Sequence, residues 1–394
     1  MVNPRVHILA FGTFTVGTEG YVIAGLLPEV ARDLHTTVAV GGQLVTVFAL
    51  AYALGGPPLI ARFRRVRPRR LLVGAALGFA VANVLAACAP DLGTLIAARV
   101  VAAAGAALFM APAAAFSAAL SKPEDLPRAI ALTATGNALA LTAGAPIGTV
   151  IGSAFGWRAA FVFVAVLAVA AAVLVRLLLP DVPPAAGGAG DRAELLRSPA
   201  VRWGFITTFG LLLATYTLYT YLAPVTAAAT GRGSDTVASL MAVFGIGGLA
   251  GGRLVGRLLA RHDLGRVLRI GLLSVAAMMI VIAVLTATGP GETVHLVVLF
   301  PAVLLLGTAF WCAGISQQTR FALLAPTQRS AALSLHFSAQ FLGVAAAGAL
   351  GGLTLAATSA TGTVVTAAVI ALLAQVGVRR LPSRAAEEPQ DERS

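Results

Sequence analysis

Apolar stretches of roughly 20 residues recur along the whole sequence, each long enough to cross a hydrocarbon core of about 30 Å as an α-helix. Of the 394 residues, 58% are hydrophobic and 11% are charged, against about 45–50% and about 25% in ordinary soluble domains. Only lipid can cover so much apolar surface, and backbone groups in lipid must be paired within helices. The sequence therefore predicts an all-α polytopic membrane protein and argues against a soluble enzyme.

The apolar stretches form two sets of six, here numbered span 1 to span 12. The first set covers residues 7–30, 38–60, 70–89, 92–117, 127–154 and 158–179. The second set covers residues 202–226, 234–258, 266–288, 294–317, 329–356 and 360–378. We therefore predict twelve transmembrane helices in two pseudo-symmetric six-helix halves.

The polar segments divide the chain further. Pro183-Pro184 and Gly187-Gly188 lie between the two sets and are typical of a solvated linker. The end of the chain is charged and poor in apolar residues, which predicts disorder. The predicted regions are an N-terminal half (1–180), a cytoplasmic linker (181–200), a C-terminal half (201–380) and a disordered cytoplasmic tail (381–394).

Basic residues are concentrated in the short segments between spans. The formal net charge is +12, but the arginines do not form the single basic face that a nucleic-acid-binding protein presents. The two richest loops follow spans 2 and 8 and contain Arg62, Arg64, Arg65, Arg67, Arg69 and Arg70, and Arg257, Arg261, Arg266 and Arg269. Because cytoplasmic loops carry the excess of basic residues, both termini and the linker are predicted to be cytoplasmic, and no nucleic-acid partner is expected.

Two motifs connect the sequence with a known family. Span 4 contains the segment LIAARVVAAAG (residues 95–105) around Arg99, and span 5 contains Gly136 and then GAPIGTVIG (residues 144–152). They resemble, respectively, the membrane-embedded arginine motif of the major facilitator superfamily and the Gly-Pro motif of its drug/proton antiporters. The segments GTEGYVIAGLLP (17–28) and GWRAAF (156–161) are similar to the subgroup of chloramphenicol-resistance and sugar-efflux proteins.

The resemblance implies a role for span 5 in a moving gate, carried by Gly136, Gly144, Pro146, Gly148 and Gly152. Glycines four residues apart form a smooth face that allows close backbone approach, and a proline removes one helical hydrogen bond and permits a bend. Static close packing of helices explains the same pattern. Both interpretations predict that span 5 lies directly against a neighbouring helix.

The sequence departs from the family after span 2. The family usually has an acidic residue in this Arg-rich loop, whereas no acidic residue occurs between Asp33 and Asp91. The corresponding loop of the second half keeps the fragment Asp263-Leu264-Gly265-Arg266. A cytoplasmic charge latch that depends on a carboxylate of the first loop is therefore not expected.

Glu19 is the only acidic residue predicted to lie well inside a span, and an isolated charge there costs several kcal/mol. Glu19 lies about 18 Å from the cytoplasmic end of span 1, and Arg99 about 11 Å from the outer end of span 4, at 1.5 Å per residue. The two side chains therefore reach similar depths in a core of about 30 Å. The family architecture places both spans beside the central cavity, so we expect Glu19 to contact Arg99.

Such a contact suits proton coupling, because burial disfavours a charged carboxylate whereas a neighbouring cation favours it. Two structural alternatives remain, namely a permanent ion pair and a hydrogen bond of Glu19 with Thr15 one turn earlier. The coupling interpretation assigns proton transfer to Glu19 and Arg99, with protons as the coupling ion and no other cofactor.

The predicted substrate cavity is polar, aromatic and largely uncharged, which suits an amphipathic neutral ligand. Membrane anchoring at the lipid interface is the alternative role of the tyrosines and the tryptophan, and a hydrogen-bonded histidine without a proton-transfer role is the alternative for His336. The candidate cavity residues are Tyr21, Asn137, Tyr216, Tyr219, Trp311, Gln318, His336 and Gln340.

The function that follows is proton-coupled efflux of small amphipathic compounds from the inner membrane of a bacterium, by rocking of two halves around a central site. The expected partners are a small-molecule substrate and the lipid bilayer, and the chain is expected to be a monomer. Efflux of a sugar or another metabolite is the second hypothesis. A non-transporting receptor is the third, and a membrane enzyme is disfavoured because the spans contain no paired carboxylates or histidine cluster.

Overall fold

A computed structural model describes residues 4–63, 65–120, 126–183, 195–291, 293–325 and 329–379. Within these residues, eleven helices are long and apolar enough to cross a membrane, and a helix pair bent by 58° supplies a twelfth when it is counted as one span. The all-helical architecture and the span count agree with the prediction. The predicted tail (381–394) and the middle of the linker (184–194) lie outside the described residues.

The N-terminal half contains spans 1 to 6. Spans 1, 3, 4 and 6 are the helices Val6–Asp33, Pro68–Ala87, Leu92–Ala119 and Trp157–Leu178. Span 2 is the short helix Val38–Gly41 followed by Gln43–Phe63. Span 5 consists of Leu126–Leu139, a π-helical turn at Ala140–Gly144, and Ala145–Phe155. The π turn ends two residues before Pro146, whose missing N–H disrupts the regular ladder of helical hydrogen bonds.

The C-terminal half contains spans 7 to 12. Span 7 is the bent pair Pro199–Thr220 and Leu222–Thr230, which meets at Tyr221. Spans 8 to 11 are Ser234–Arg261, Leu264–Ala287, Thr293–Leu324 and Arg329–Ala357. Span 12 is Ala360–Ala374, followed by a short turn of helix at Val376–Arg379. Span 10 is seven residues longer at its end than predicted and therefore includes Arg320.

Several helix boundaries have clear local causes. Side chains at the start of spans 2, 9 and 12 accept hydrogen bonds from free backbone N–H groups: Thr37 from Val40 (3.2 Å), Asp263 from Arg266 (3.1 Å) and Ser359 from Gly362 (3.2 Å). The fragment containing Asp263 therefore begins a helix. Spans 5 and 6 are separated by Gly156, whose φ of 88° suits glycine.

The two halves repeat one pattern of helix packing. In the first half, span 1 packs on span 5, span 4 on spans 2 and 3, and span 6 on span 3. In the second half, span 7 packs on span 11, span 10 on spans 8 and 9, and span 12 on span 9. Between the halves, span 2 packs on span 11, span 5 on span 8 and span 1 on span 7. This repetition is expected of a duplicated six-helix unit.

The four motif glycines of span 5 all face span 1. A Cβ atom on Gly144 would lie 2.0 Å from Thr18 Oγ1, and one on Gly148 would lie 2.5 Å from Val22 Cγ2. Gly136 and Gly152 approach the same helix, at 2.0 Å from the Ala10 carbonyl oxygen and 2.4 Å from Leu26 Cδ2. The predicted close approach of span 5 is therefore confirmed, and its neighbour is a helix of the same half. A role in gating stays a prediction.

Candidate functional site

Glu19 and Arg99 form an ion pair inside the N-terminal half, and both side chains are 1% exposed. Arg99 Nη1 contacts Glu19 Oε1, so the predicted meeting of spans 1 and 4 at this depth is confirmed. Thr15 donates its hydroxyl hydrogen to the Phe11 carbonyl oxygen at 3.0 Å, one turn earlier in the same helix. The structural alternative that pairs Glu19 with Thr15 in place of Arg99 is therefore wrong, whereas a permanent ion pair and a coupling pair both fit the geometry.

Span 2 completes this site. Arg99 Nε donates to the Leu44 carbonyl oxygen at 3.4 Å, and the guanidinium carbon lies 4.3 Å from the centroid of the Phe48 ring. A cation over an aromatic face is stabilised by the ring quadrupole. Spans 1, 2 and 4 thus hold the guanidinium in place. Removing one partner of a buried ion pair lowers the free energy of unfolding by about 3–5 kcal/mol. A change in the charge of Glu19 would therefore alter the packing of spans 1, 2 and 4 together.

Tyr21 lies two residues after Glu19 and connects the two halves. Asn137 of span 5 donates its side-chain N–H to the Tyr21 hydroxyl at 3.0 Å. The Tyr21 ring meets the Tyr219 ring of span 7 edge to face, with 6.3 Å between centroids. The structure therefore brings together two predicted cavity residues of the first half with one of the second.

Tyr219 belongs to an aromatic cluster, here defined as Tyr21, Tyr216, Tyr219, Phe244, Phe310 and Trp311. Neighbouring rings in this cluster have centroid separations of 5.3 to 6.4 Å. The sequence predicted the three tyrosines and the tryptophan as cavity residues, and the structure places all four in one cluster. It missed Phe244 and Phe310, because phenylalanine in an apolar span carries no signal that separates a ligand site from a helix core.

The aromatic cluster contains polar atoms that have no hydrogen-bond partner. Tyr219 hydroxyl and Trp311 Nε1 are buried and unpartnered, as are the hydroxyls of Thr215 and Thr220 on the same helix as Tyr219. An unpartnered buried polar group costs about 1–3 kcal/mol. A ligand that accepts a hydrogen bond from such a group removes this cost. These donors therefore favour a largely apolar ligand that carries hydrogen-bond acceptors.

Four of the eight predicted cavity residues are not members of the aromatic cluster, and of these only Asn137 contacts it within the described part of the chain, through Tyr21. His336 is 1% exposed, its Nδ1 lies 3.2 Å from the Thr208 hydroxyl, and its ring packs beside Phe321 and Phe337. Gln318 and Gln340 are half-buried. Among the described residues these three side chains make no ring contact or hydrogen bond with the cluster, since spans 10 and 11 continue well beyond it toward the Arg-rich loops. That all eight residues line one cavity stays a prediction.

Tyr221 joins three spans at the bend of span 7. Its hydroxyl donates to the Gly348 carbonyl oxygen of span 11 at 2.7 Å and lies 3.3 Å from the Ala39 carbonyl oxygen of span 2. Gly42 and Gly352 lie against the same side chain, and a Cβ atom on Gly42 would be 1.7 Å from the hydroxyl oxygen. The two halves are therefore tightly packed at the end of the bundle opposite the Arg-rich loops.

Ion pairs stabilise both ends of the N-terminal half. At the end opposite the Arg-rich loops, Asp33 pairs with Arg158 and accepts a hydrogen bond from Trp157 Nε1 at 3.0 Å. Arg158 also donates to the Ala89 carbonyl oxygen at 3.0 Å, so spans 1, 3 and 6 are joined. The Gly-Trp-Arg segment quoted above therefore has a structural role that its sequence alone did not reveal.

At the other end, Asp181 supplies an acidic group to the loop after span 2. Asp181 Oδ2 accepts a hydrogen bond from Arg67 Nη1 at 2.6 Å and lies 3.8 Å from Arg69 Nη2. Arg69 Nη1 also donates to the Leu179 carbonyl oxygen at 3.2 Å. The hydrogen bond from Arg67 lowers the pKa of the Asp181 carboxyl. The loop after span 2 has no carboxylate of its own, and its arginines pair instead with an aspartate that follows span 6.

Two six-helix halves of this topology, with a polar and aromatic site between them, define the class of polytopic membrane transporters. The chain matches the model of the Major Facilitator Superfamily over residues 9–328 and belongs to that family. It is 30% identical over 355 residues to the uncharacterized MFS-type transporter YbcL of Bacillus subtilis (strain 168), covering 88% of each chain. It is 36% identical over 263 residues to the chloramphenicol resistance protein of Streptomyces lividans, covering 65% of this chain and 67% of the relative.

Solved structures show the same fold at lower identity. A D-xylose-proton symporter superposes with a TM-score of 0.79 at 15% identity, covering 95% of this chain and 96% of the symporter. A bacterial homolog of the human lysosomal transporter Spinster, in an inward-facing and occupied conformation, superposes with a TM-score of 0.76 at 18% identity, covering 95% of each chain. These similarities establish the fold.

Proposed function

We propose that this transporter exports small, largely neutral amphipathic compounds in exchange for protons. The observation that carries the proposal is the buried pair of Glu19 and Arg99, because Glu19 is the only acidic side chain in the buried class among the described residues. A carboxylate in such a site changes its interaction with the cation when it binds a proton. Protons are the proposed coupling ion, and no other cofactor is needed.

The proposed substrate site is the aromatic cluster. Its rings offer apolar contact area, while the unpartnered hydroxyl of Tyr219 and Nε1 of Trp311 offer two hydrogen-bond donors. No charged side chain is a member of the cluster, which favours a neutral substrate over an ionic one. The similarity to a chloramphenicol resistance protein supports a drug-like substrate. Export of a sugar or another metabolite is the alternative to be tested.

Glu19 is close to this site along span 1. Tyr21 follows it by two residues and contacts Asn137 and Tyr219. Proton binding at Glu19 and ligand binding at the cluster therefore act on the same helix, which gives a physical route for exchange. In this proposal, rocking of the halves exposes the cluster alternately to the two sides of the membrane.

The proposed location is a bacterial inner membrane, with the Arg-rich loops and both termini on the cytoplasmic side and the chain acting as a monomer. The two halves are joined by hydrogen bonds and glycine contacts, such as those of Tyr221 and Gly348. These contacts lie between the middle of the bundle and the end opposite the Arg-rich loops. With this orientation the structure corresponds to a state in which the outer end is closed.

A growth screen tests the substrate class. Cells that express the protein should survive higher concentrations of neutral amphipathic antibiotics, chloramphenicol included, than cells that express the Glu19→Gln variant. Protection against toxic sugar analogues alone would favour the alternative substrate class. Purified protein that binds a compound and moves none in liposomes would contradict the transporter proposal and favour a receptor.

Transport into inverted vesicles tests the coupling site directly. Glu19→Gln should abolish uptake driven by a pH gradient while ligand binding persists, because the variant cannot take up and release a proton. Asp235→Asn is the matched control, since Asp235 is an exposed carboxylate at the start of span 8. Full gradient-driven uptake by Glu19→Gln would contradict the proposal.

A further inference from the structure

Arg320 lies in the last part of span 10, four residues before the helix ends at Leu324. It is 2% exposed, and its Nε, Nη1 and Nη2 atoms are buried without a hydrogen-bond partner. Arg99 is equally buried, but it has Glu19, the Leu44 carbonyl and the Phe48 ring. Among the residues whose burial is described, one buried arginine is therefore compensated and one is not.

The sequence shows that the C-terminal half has no internal counter-charge for Arg320. Between residues 195 and 379 the acidic residues are Asp235, Asp263 and Glu292. Asp235 lies in the first turn of span 8, and Asp263 directly precedes span 9. Asp235 and Asp263 are exposed. Asp263 also caps the start of span 9. A carboxylate within spans 7 to 12 is therefore not available to Arg320, unlike the situation in the first half.

The helix itself compensates the charge only in part. The C-terminal end of a helix favours a cation by at most about 2 kcal/mol in partly buried sites. Burial of an unpaired ion costs several kcal/mol, and the dipole leaves the guanidinium N–H groups without acceptors. The described residues supply neither the missing negative charge nor the missing hydrogen-bond acceptors, so only a group from outside them completes the arrangement.

The surroundings of Arg320 are polar as well as apolar. Side chains in helices lean toward the preceding turn, which directs the guanidinium toward the level of Ser316 and Gln317. Gln317 donates through Nε2 to the Gly204 carbonyl oxygen at 2.6 Å, and its Oε1 is buried without a partner. Ser316 is also buried and donates its hydroxyl hydrogen to the Cys312 carbonyl oxygen at 2.8 Å. Ser316 and Gln317 already use these donors, so the free donors of this segment that can bind an anion are those of Arg320.

We propose that Arg320 is the centre of an oxyanion-binding site in the C-terminal half, suited to a single phosphate or carboxylate group. A planar guanidinium binds two oxygens of such a group at once, which supplies both missing charge and missing acceptors. Trp311 precedes Arg320 by nine residues, a separation of about 14 Å along the helix at 1.5 Å per residue. The site is therefore distinct from the aromatic cluster and does not depend on the proposed function.

The group that binds Arg320 has two candidate sources, namely a free oxyanion and the phosphate of an anionic lipid. Melting temperatures (Tm) of the purified full chain distinguish them. In detergent, inorganic phosphate is compared with chloride at equal ionic strength. In nanodiscs, phosphatidylglycerol is compared with phosphatidylcholine. Because phosphate stabilises many proteins by exclusion from their surfaces, the readout is the difference between the shifts of the wild type and of each variant.

The variants are Arg320→Gln, which removes the charge, and Arg320→Lys, which keeps the charge without the planar fork. Arg257→Gln is the matched control, since Arg257 is an exposed arginine near the end of span 8. We expect phosphate or phosphatidylglycerol to raise the Tm of the wild type and of Arg257→Gln. The rise in Tm should be smaller in Arg320→Lys. In Arg320→Gln only the nonspecific effect of phosphate or of the lipid should remain.

Without an oxyanion, Arg320→Gln should melt at or above the wild-type Tm, because it removes an uncompensated buried charge. A specific rise with phosphate in detergent identifies a free oxyanion, and a rise only with phosphatidylglycerol identifies a lipid headgroup. Equal shifts in the wild type and Arg320→Gln under both comparisons would overturn the proposal, as would a loss of the Tm shift in Arg257→Gln alone.

Discussion

Arg99 and Glu19 form a buried ion pair in which the guanidinium also lies 4.3 Å from the centroid of the Phe48 ring. The ring and the carboxylate constrain the orientation of the guanidinium together. A flexible ammonium group can reach a carboxylate, but it lacks the planar fork and is more strongly hydrated. Replacement of Arg99 by lysine therefore distinguishes two roles. If only the charge matters, the variant keeps its function, whereas if the geometry of the guanidinium matters, its function is impaired.

We expect Arg99→Lys to fold, to bind ligand and to export at least a few-fold more slowly, with a shifted pH optimum. The reason is that proton binding at Glu19 depends on how the cation is held. The measurement is initial export rate against pH in vesicles, with Arg176→Lys as control because Arg176 is exposed at the end of span 6. An unchanged pH profile would reduce Arg99 to a structural counter-charge.

Gly148→Leu should prevent normal packing of span 5 on span 1. A Cβ atom there would already lie 2.5 Å from Val22 Cγ2, and overpacking of a tight contact costs about 1–3 kcal/mol or more. We expect a lower Tm and loss of export. Gly74→Leu is the control, since Gly74 is exposed on span 3 with open space around it. Normal export by inserted Gly148→Leu would contradict the close approach.

Tyr221→Phe should loosen the end opposite the Arg-rich loops. It leaves the Gly348 carbonyl oxygen without its 2.7 Å hydrogen bond, a loss of about 1 kcal/mol and more if the oxygen stays buried. We expect faster maleimide labelling of Thr46→Cys in a background that lacks Cys88 and Cys312, because the Thr46 hydroxyl lies at the Gly348 contact.

The control for that labelling experiment is Tyr52→Phe. Tyr52 also joins the halves, by stacking on Phe341 with 3.8 Å between ring centroids, and phenylalanine preserves the ring. Equal labelling rates in Tyr221→Phe and Tyr52→Phe would show that the Tyr221 hydroxyl does not hold this end closed.

The Asp181 contact should make stability depend on pH in the acidic range. Its folded-state pKa is lowered, mainly by the hydrogen bond from Arg67, relative to an unfolded value of about 3.9. The stabilisation is therefore present above the unfolded pKa and is lost as pH falls through the lower folded pKa. The difference in Tm between the wild type and Asp181→Asn should shrink from pH 6 toward pH 3.

The same contact can be tested from its other side. Arg67→Gln should lower the Tm at pH 6 by no more than Asp181→Asn does, because Asp181 also lies 3.8 Å from Arg69 Nη2, and the double variant should lose no more than Asp181→Asn alone. Additive losses would show that the two side chains act independently, in spite of the 2.6 Å between Arg67 Nη1 and Asp181 Oδ2.

The sequence predicted the spans because length and hydropathy alone determine whether a helix can cross a bilayer. Glu19 and Arg99 were predicted to meet because each is a rare charge at a similar depth and because the family that the sequence resembles places both spans beside one cavity. The bend at Tyr221 was not predicted, although its local cause is in the sequence: Pro224 lacks the N–H that would bond to the Thr220 carbonyl oxygen. The contacts of Tyr221 with spans 2 and 11 have no such local signal.

The remaining misses have similar causes. Asp181 lies 114 residues from Arg67, so no local pattern connects them. Hydropathy ended span 10 at residue 317, whereas the helix continues through polar residues to Leu324 and carries Arg320 into a buried position. Phe244 and Phe310 look like ordinary core residues until neighbouring tyrosines are known. The sequence therefore missed these residues because their long-range contacts and their burial cannot be read from residue type.

Tyr21 is the only member of the aromatic cluster that the N-terminal half supplies, and its ring meets Tyr219 across the boundary between the halves. A ligand that contacts both rings in this state loses one of them when the halves separate at that level. Its dissociation constant must then differ between the two conformations. By linkage, a ligand bound to both rings also shifts the conformational equilibrium toward the state seen here by the same free energy. Tyr21→Ala should therefore reduce the difference in ligand affinity between the two states as well as the affinity itself.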